Sequence, residues 1–461
     1  MKSNLFSVIL FVLIGIGNNV DAQLQGSKWF FGHNAGLQFT STTAQSYSNT
    51  QIIMDGGGSS VCDAAGNLLL YCDGNTVYNK INSVMQNGTG LLGSKSSTTS
   101  SLIVKKPGSF NLYYVFTNTS NSGPGDLYYS IVDVSANNNY GSVISKNYLL
   151  HSGTSEKLTA ILHQNQYDIW LVGHENSNFN FYSYLITDSV ISQFPIYSVS
   201  HAATTINASD SKGQMKASPC GDRITASYYS SNYAEVYNFD KATGIVSGAI
   251  KIGPFTNFGA VVYGAEFSND GSKVYYSGNT SSYIAQADLT AGSTSAIQNS
   301  LTFVLVGGNG IYGLQLAPNG KIYAIENASS SMWVINNPNV VGPMTQSLFN
   351  VLSPGYCTYG IPNFPSYYFC STWSSLSEFL APTKLDVYPN PARTSINIDA
   401  TSIVDGSYSL SIRNLLNESV NESTFNSAID QSINIGNLDP GIYLLQLKGK
   451  AGNYFTRFIK E

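Results

Sequence analysis

The residues whose types and spacing could do chemistry are recurrent and polar rather than gathered in one motif. Asparagine returns at Asn75, Asn118, Asn176, Asn232, Asn279 and Asn327, each soon after an apolar, strand-like run. With acidic and imidazole neighbours these amides would form a ring able to hold a polar ligand. The candidate ligand-binding set is Asp73, Asn75, His174, Glu175, Asn279 and Glu326. The competing reading is backbone geometry, because asparagine bonds its own turn and tolerates positive φ. Asp63, Asp73, Asp270 and Glu266 offer carboxylates, and a pair of them suffices for glycoside hydrolysis. Asp63 and Asp270, however, fall in or beside turns, where Asp serves the backbone. His163 and His174 bracket a hairpin, with Glu156 or Glu175 as a further ligand, but their spacing matches no metal motif. There is no GxSxG elbow, P-loop or dinucleotide fingerprint. Gly56-Gly57-Gly58 and Gly307-Gly308-Asn309-Gly310 read as loops. No catalytic residue, metal site or cofactor is assigned, and binding is favoured over catalysis.

These residues hang on short Tyr-, Val- and Ile-rich runs separated by Gly, Asn, Asp and Pro, an all-β pattern. One unit recurs: strand, tight turn, strand, then a polar turn with Asn. Its best copies are 265–276 and 314–324, with a third at 61–73 and weaker ones at 102–117, 158–174 and 215–230. Asp270-Gly271 and Asn319-Gly320 predict two-residue hairpins with φ > 0 at both central positions. The period is that of four-stranded propeller blades. Strands at 29–31 and 37–39 and a strand pair over 359–369 would close the ring and remove its edges. The expected fold is a β-propeller over 27–372, seven-bladed with six as the alternative count.

Phe267 to Tyr275, Phe-Ser-Asn-Asp-Gly-Ser-Lys-Val-Tyr, resembles the WD-type, TolB-like propeller repeat, with Asn269 where that pattern has proline. The opening Trp29 to Phe39, Leu314 to Tyr323 and Gly360 to Phe364 resemble surface propellers of Bacteroidetes-type bacteria. That resemblance implies a fold and no activity.

Composition shifts over 373–384, a Ser/Thr/Pro-containing linker, and residues 385–461 then alternate as about seven short strands of a small β-sandwich. Pro389 and Pro391 bracket Asn390 and hold an extended edge segment. Tyr388-Pro389-Asn390-Pro391, the late Gly441-Ile442-Tyr443 strand and the closing Arg457 to Lys460 resemble the type IX secretion C-terminal sorting domain, type A. Tyr388, Pro389, Asn390, Pro391, Gly441, Tyr443 and Lys460 carry the match. The resemblance implies an outer-membrane translocon and a sortase-like peptidase as partners.

The other end agrees with export. Lys2, an apolar run from Leu5 to Ile16, and Val20-Asp21-Ala22 form a signal-peptide pattern over 1–22. That run is too short to cross a bilayer, and no other transmembrane span is expected. Charged residues are only 11% of 461 and the net charge is −5, so nothing builds the basic stripe that nucleic acid requires. Five cysteines leave at least one unpaired; most read as core residues, a Cys357–Cys370 pair is left open, and Cys62–Cys72 is disfavoured by register. The expected protein is secreted or surface-displayed by way of the periplasm, and works as a binding or adhesion module for polysaccharide or surface protein. The alternative is an extracellular polysaccharide hydrolase or lyase using propeller-face carboxylates.

Overall fold

The structure is a computed structural model. It describes residues 24–461 except 41, 48–49, 110, 177, 204–205, 256–260, 280–281, 309, 371–382, 399–406, 415–418, 427–431 and 450–451. The signal-peptide segment and most of the expected linker lie outside the described residues. No described helix is long and apolar enough to cross a membrane.

The strands assemble as successive antiparallel meanders. A three-stranded sheet comes first, from Lys28–Phe31, Ala35–Phe39 and Ala44–Ser46. Ser59–Cys62, Leu68–Cys72, Thr76–Asn79 and Val84–Thr89 make the next four in order. Ser101–Lys105, Leu112–Asn118 and Gly125–Asp133 follow, paired with the first half of the long strand Ser142–Leu162. Its second half pairs with Ile169–Glu175 and begins the next meander, through Asn180–Ile186 and Ile196–Val199. Three further four-stranded sheets occupy 215–252, 262–306 and 311–348. The molecule is all-β and propeller-like, followed by a sheet-rich C-terminal region.

Each meander starts on the inside, and the starts are stitched to one another. Ser100 N donates to Gly57 O, Thr98 N to Glu156 Oε2, Gln214 N to Tyr263 O, and Gly313 N to Tyr359 O. Tyr359 N returns to Asp55 O at 3.1 Å, joining the closing segment to the residues ahead of Ser59–Cys62. Glycine permits this crowding. A Cβ on Gly360 would lie 1.9 Å from Gly56 C, and one on Gly264 would lie 2.3 Å from Tyr312 O.

The first strands meet the closing segment where the ring closes. Trp29 packs edge-on against Tyr323 at 5.7 Å and near Phe364 at 6.1 Å, joining the first strand to the last meander and the closing segment. His33 bridges Tyr356, and Ser59 bridges Asn363. The strand pair expected over 359–369 is not formed. Pro362 and Pro365 have no N–H to give a ladder, and Ser366–Phe369 turns as a 3-10 helix.

Two local expectations are also corrected. At the hairpins only the glycines are left-handed: Gly271 at φ 70° and Gly320 at φ 72°. Gly271 N bonds Ser268 O and Gly320 N bonds Ala317 O, so each loop is an i→i+3 turn followed by a left-handed glycine. The extra residue lets Asp270 accept from Ser268 Oγ and Ser272 N instead of adopting positive φ. The disulfide is Cys220–Cys370, not Cys357–Cys370. The Cys357 thiol points away to donate to Glu326 O and Ser329 O.

Buried charge is held by dense bonding. The Glu235 carboxylate, fully buried, accepts from His201 Nδ1 at 3.0 Å, Tyr237 OH at 2.6 Å, Ala202 N at 3.1 Å and Ala203 N at 2.9 Å. Replacing Glu235 by Ala strands His201 Nδ1 and two backbone N–H groups and leaves Tyr237 OH only Tyr228 OH, so a loss of about 3–5 kcal/mol is expected. Chemical denaturation checks it, and a loss below about 1 kcal/mol would contradict the network's role.

The C-terminal region forms a five-stranded and a three-stranded sheet. Its core is its own: Leu385, Ile396, Ile398, Tyr408, Leu410, Ile412, Phe425, Leu445, Leu447 and Phe458 cluster together.

Candidate functional site

The heads of the meanders surround a cavity of about 310 Å³ at the axis. Its wall comes from two kinds of segment. Asp55, Ser96, Glu156, Lys212, Tyr263, Tyr312 and Tyr359 lie at or just before innermost strands or in the closing segment, whereas Asn121, Tyr229 and Asn279 follow second strands. Both kinds of loop open on the same face, as a meander requires.

One side is aromatic. Tyr229, Tyr263, Tyr312 and Tyr359 form an arc with successive ring centroids 6.3, 5.3 and 4.8 Å apart. Burial raises the Tyr263 and Tyr312 phenols above their ordinary value, so both stay protonated donors. The Lys212 ammonium stands 5.6 Å over the Tyr229 ring, a cation–π contact. Asp55, Ser96, Asn121 and Glu156 complete the wall.

Glu156 reaches the axis because the long strand slips register between Thr154 and Leu158, a bulge that turns consecutive side chains inward. Its carboxylate is already engaged, by Thr98 N at 2.7 Å, Thr98 Oγ1 at 2.6 Å and Ser122 N at 2.7 Å. Lys157, next in the bulge, is buried with Nζ donating to Asp210 O, Ser211 O and Lys212 O. Burial pushes its ammonium down to about 8, against attraction from Asp210 and Glu156. The ammonium thereby fixes the turn that carries Lys212.

Of the six residues expected to bind ligand, Asn279 alone lines this cavity. The others stand at comparable places in their meanders with their groups occupied. Asp73 is fully buried, 2.6 Å from Lys95 Nζ, and caps Asn75 N and Thr76 N. Asn75 Nδ2 donates to Leu91 O and Gly93 O. Glu175 accepts from Asn178 and Asn180 and sits 3.5 Å from His151. Glu326 accepts from Trp333 Nε1 at 2.8 Å. His174 is buried against Phe181 and Tyr228.

The carboxylates weighed for hydrolysis are engaged as well. Asp63 accepts from Asn67 N and Nδ2 within its turn, and Glu266 accepts from Phe267 N and Leu316 N. His163 accepts from Asn165 N and lies 3.2 Å from Ala242 O. Among the described residues no group of three or more His, Cys, Asp or Glu is placed to hold a metal ion.

The tyrosine arc was missed, although a signal existed. Tyr-Gly recurs at 263–264, 312–313 and 359–360, at about the repeat period, where a tyrosine faces the axis and the glycine admits the neighbouring backbone.

His174 makes the fold sensitive to acid. Burial, helped by the Lys157 charge, pushes its imidazole down to about 3 from 6.5. The unfolded chain therefore binds a proton that the folded one refuses between those values. The stabilisation is complete above pH 6.5 and lost as pH falls toward 3, at about 1.4 kcal/mol per unit. A loss of about 2 kcal/mol from this group is expected at pH 5, and His174→Gln should flatten the profile. An equal acid slope in wild type and variant would contradict this.

In the C-terminal sheets the separated motif residues converge on one corner. Pro389 and Pro391 have no N–H, and the Asn390 side chain bonds the last strand through one donor and one acceptor. Its Oδ1 accepts from Ile459 N at 2.9 Å and its Nδ2 donates to Arg457 O at 3.2 Å. Ala392 N continues to Ile459 O, and Glu461 N returns to Ala392 O. Gly441 pairs with Lys460, and Tyr443 pairs with Phe458, its ring stacked on that of Phe458 and its hydroxyl donating to Asp439 O. Tyr388 is left exposed.

Residues 386–461 match the family model of the secretion system C-terminal sorting domain. No curated protein sequence matches the chain. Among solved structures, a Bacteroides uniformis ATCC 8492 protein proposed to be a 6-phosphogluconolactonase is similar at 11% identity, covering 70% of this chain and 96% of that one, with a TM-score of 0.44. The periplasmic gluconolactonase of Pseudomonas aeruginosa is similar at 11% identity over 83% and 94% of the two chains, TM-score 0.39. Kluyveromyces lactis Hsv2 is similar at 8% identity over 70% and 95%, TM-score 0.39. The tail is a type IX sorting domain, and it marks the chain for secretion to or beyond the cell surface.

Proposed function

We propose that this chain is a surface-displayed binding module, with a propeller over about 27–372 that holds its ligand at the axial cavity. Residues 385–461 serve export and anchoring, handled by the type IX translocon and a sortase-like peptidase. The observation that carries the binding reading is the tyrosine arc sharing one cavity wall with polar groups. Tyrosine brings large contact area at low entropy cost, which suits recognition. Hydrolysis is less favoured, because Glu156 is spent on three internal donors and Asp55 lies 3.5 Å from His33 Nε2.

The test compares purified wild type with Tyr312→Ala/Tyr359→Ala for retention on immobilised envelope polysaccharides and surface proteins. Retention by wild type alone, without release of cleaved product, supports a binding module. Equal retention of both proteins would place binding elsewhere, and product release would favour the hydrolase or lyase.

A further inference from the structure

We propose that the axial cavity receives the pyranose ring of a neutral saccharide; this rests on the reading of the cavity as the binding site. Asn279 Nδ2 donates to Tyr229 OH at 3.0 Å. Its Oδ1 is buried and has no hydrogen-bond partner among the described residues. A buried carbonyl oxygen left so costs about 1–3 kcal/mol, and a ligand O–H or N–H would recover it.

The rest of the wall narrows the class. Four tyrosine rings form an aromatic arc, and Asp55, Ser96 and Asn121 add polar groups to the same wall. A pyranose has the matching asymmetry, with a face of C–H groups and a rim of hydroxyls that both donate and accept. Its hydroxyls can donate to Asn279 Oδ1 and the Asp55 carboxylate and accept from Lys212. A phosphorylated or strongly acidic ligand is disfavoured, since one lysine is set against the carboxylates of Asp55 and Glu156. The volume of about 310 Å³ lies at the lower end of small-ligand sites. That scale fits a chain end or a short oligosaccharide, not an extended peptide.

The experiment presents the full mature chain to an array of neutral glycans, then titrates the best one by tyrosine and tryptophan fluorescence. Saturable binding is expected, weakened at least tenfold in Tyr312→Ala and in Asn279→Ala and unchanged in Glu326→Gln. Circular dichroism checks that each variant is folded. Saturation-transfer NMR on the wild type adds a readout free of mutation, with transfer expected to the C–H protons of one ring face. Failure of every neutral glycan to bind overturns the saccharide proposal. If an acidic glycan or a peptide binds instead and Tyr312→Ala abolishes it, the saccharide class falls and the cavity stands. Glycan binding that survives both Tyr312→Ala and Asn279→Ala overturns the proposal and the cavity reading together.

Discussion

A chain ending at Leu380 is expected to stay in the periplasm of a host with type IX secretion, while the full chain reaches the surface or medium. The expected difference is near-complete, because the deleted residues contain the whole matched sorting domain, 386–461. The deletion need not disturb the propeller. The C-terminal sheets keep an independent core around Leu445, Leu447 and Phe458, and the ring closes through residues 355–364 without them. Immunoblots of surface, medium and periplasmic fractions check this. Equal delivery of both chains would reduce residues 385–461 to an ordinary accessory domain. Asn390→Ala tests the same corner more finely, since it removes two bonds to the last strand and leaves the strands otherwise intact.

Loss of the Cys220–Cys370 disulfide should cost about 5 kcal/mol on chain-entropy grounds, because the bridge closes a loop across a sequence separation of 150. It pins the segment after the 3-10 helix Ser366–Phe369 to the turn that follows Met215–Ala217, and so latches the end of the ring to a meander far away in sequence. Such a bridge forms in an oxidising compartment, which agrees with export. Cys220→Ser/Cys370→Ser should therefore lower the urea midpoint markedly and expose the closing segment to protease. Cys62, Cys72 and Cys357 are free and buried. Burial raises their thiols to about 11, 12 and 12, so the folded protein should resist alkylation and take three labels only when unfolded without reductant. Fast labelling of the native protein would contradict this pairing, and so would an unchanged midpoint in the double variant.

How much of this was legible depends on the range of the physics involved. The hairpins at Asp270-Gly271 and Asn319-Gly320 could be read because turn chemistry is local. Their loop type could not, since it depends on whether the Asp side chain serves the backbone. The sorting motif was readable because its residues keep fixed order near the chain end. That the Asn390 side-chain amide bonds the last strand, between two prolines that have no N–H to give, appears only when strands pair. The axial site was the least legible. The chain has 31 tyrosines, and Tyr71, Tyr228, Tyr275 and Tyr283 are core, so residue type could not single out Tyr263, Tyr312 and Tyr359. Ring closure decides which tyrosines face the axis. It also decides that Asp73 and His174 turn into the protein while Asn279 does not. Glu156 depended on a bulge, and the Cys220–Cys370 pair on a contact that local patterning cannot register.

The most direct measurement of the export claim is sufficiency. Residues 385–461, with their self-contained core, would be fused to a periplasmic reporter that carries its own signal peptide. The reporter is expected to become accessible to external protease and antibody in a host with type IX secretion, and to remain hidden when the translocon is absent. A reporter that stays periplasmic in both hosts would contradict the assignment of export to this domain.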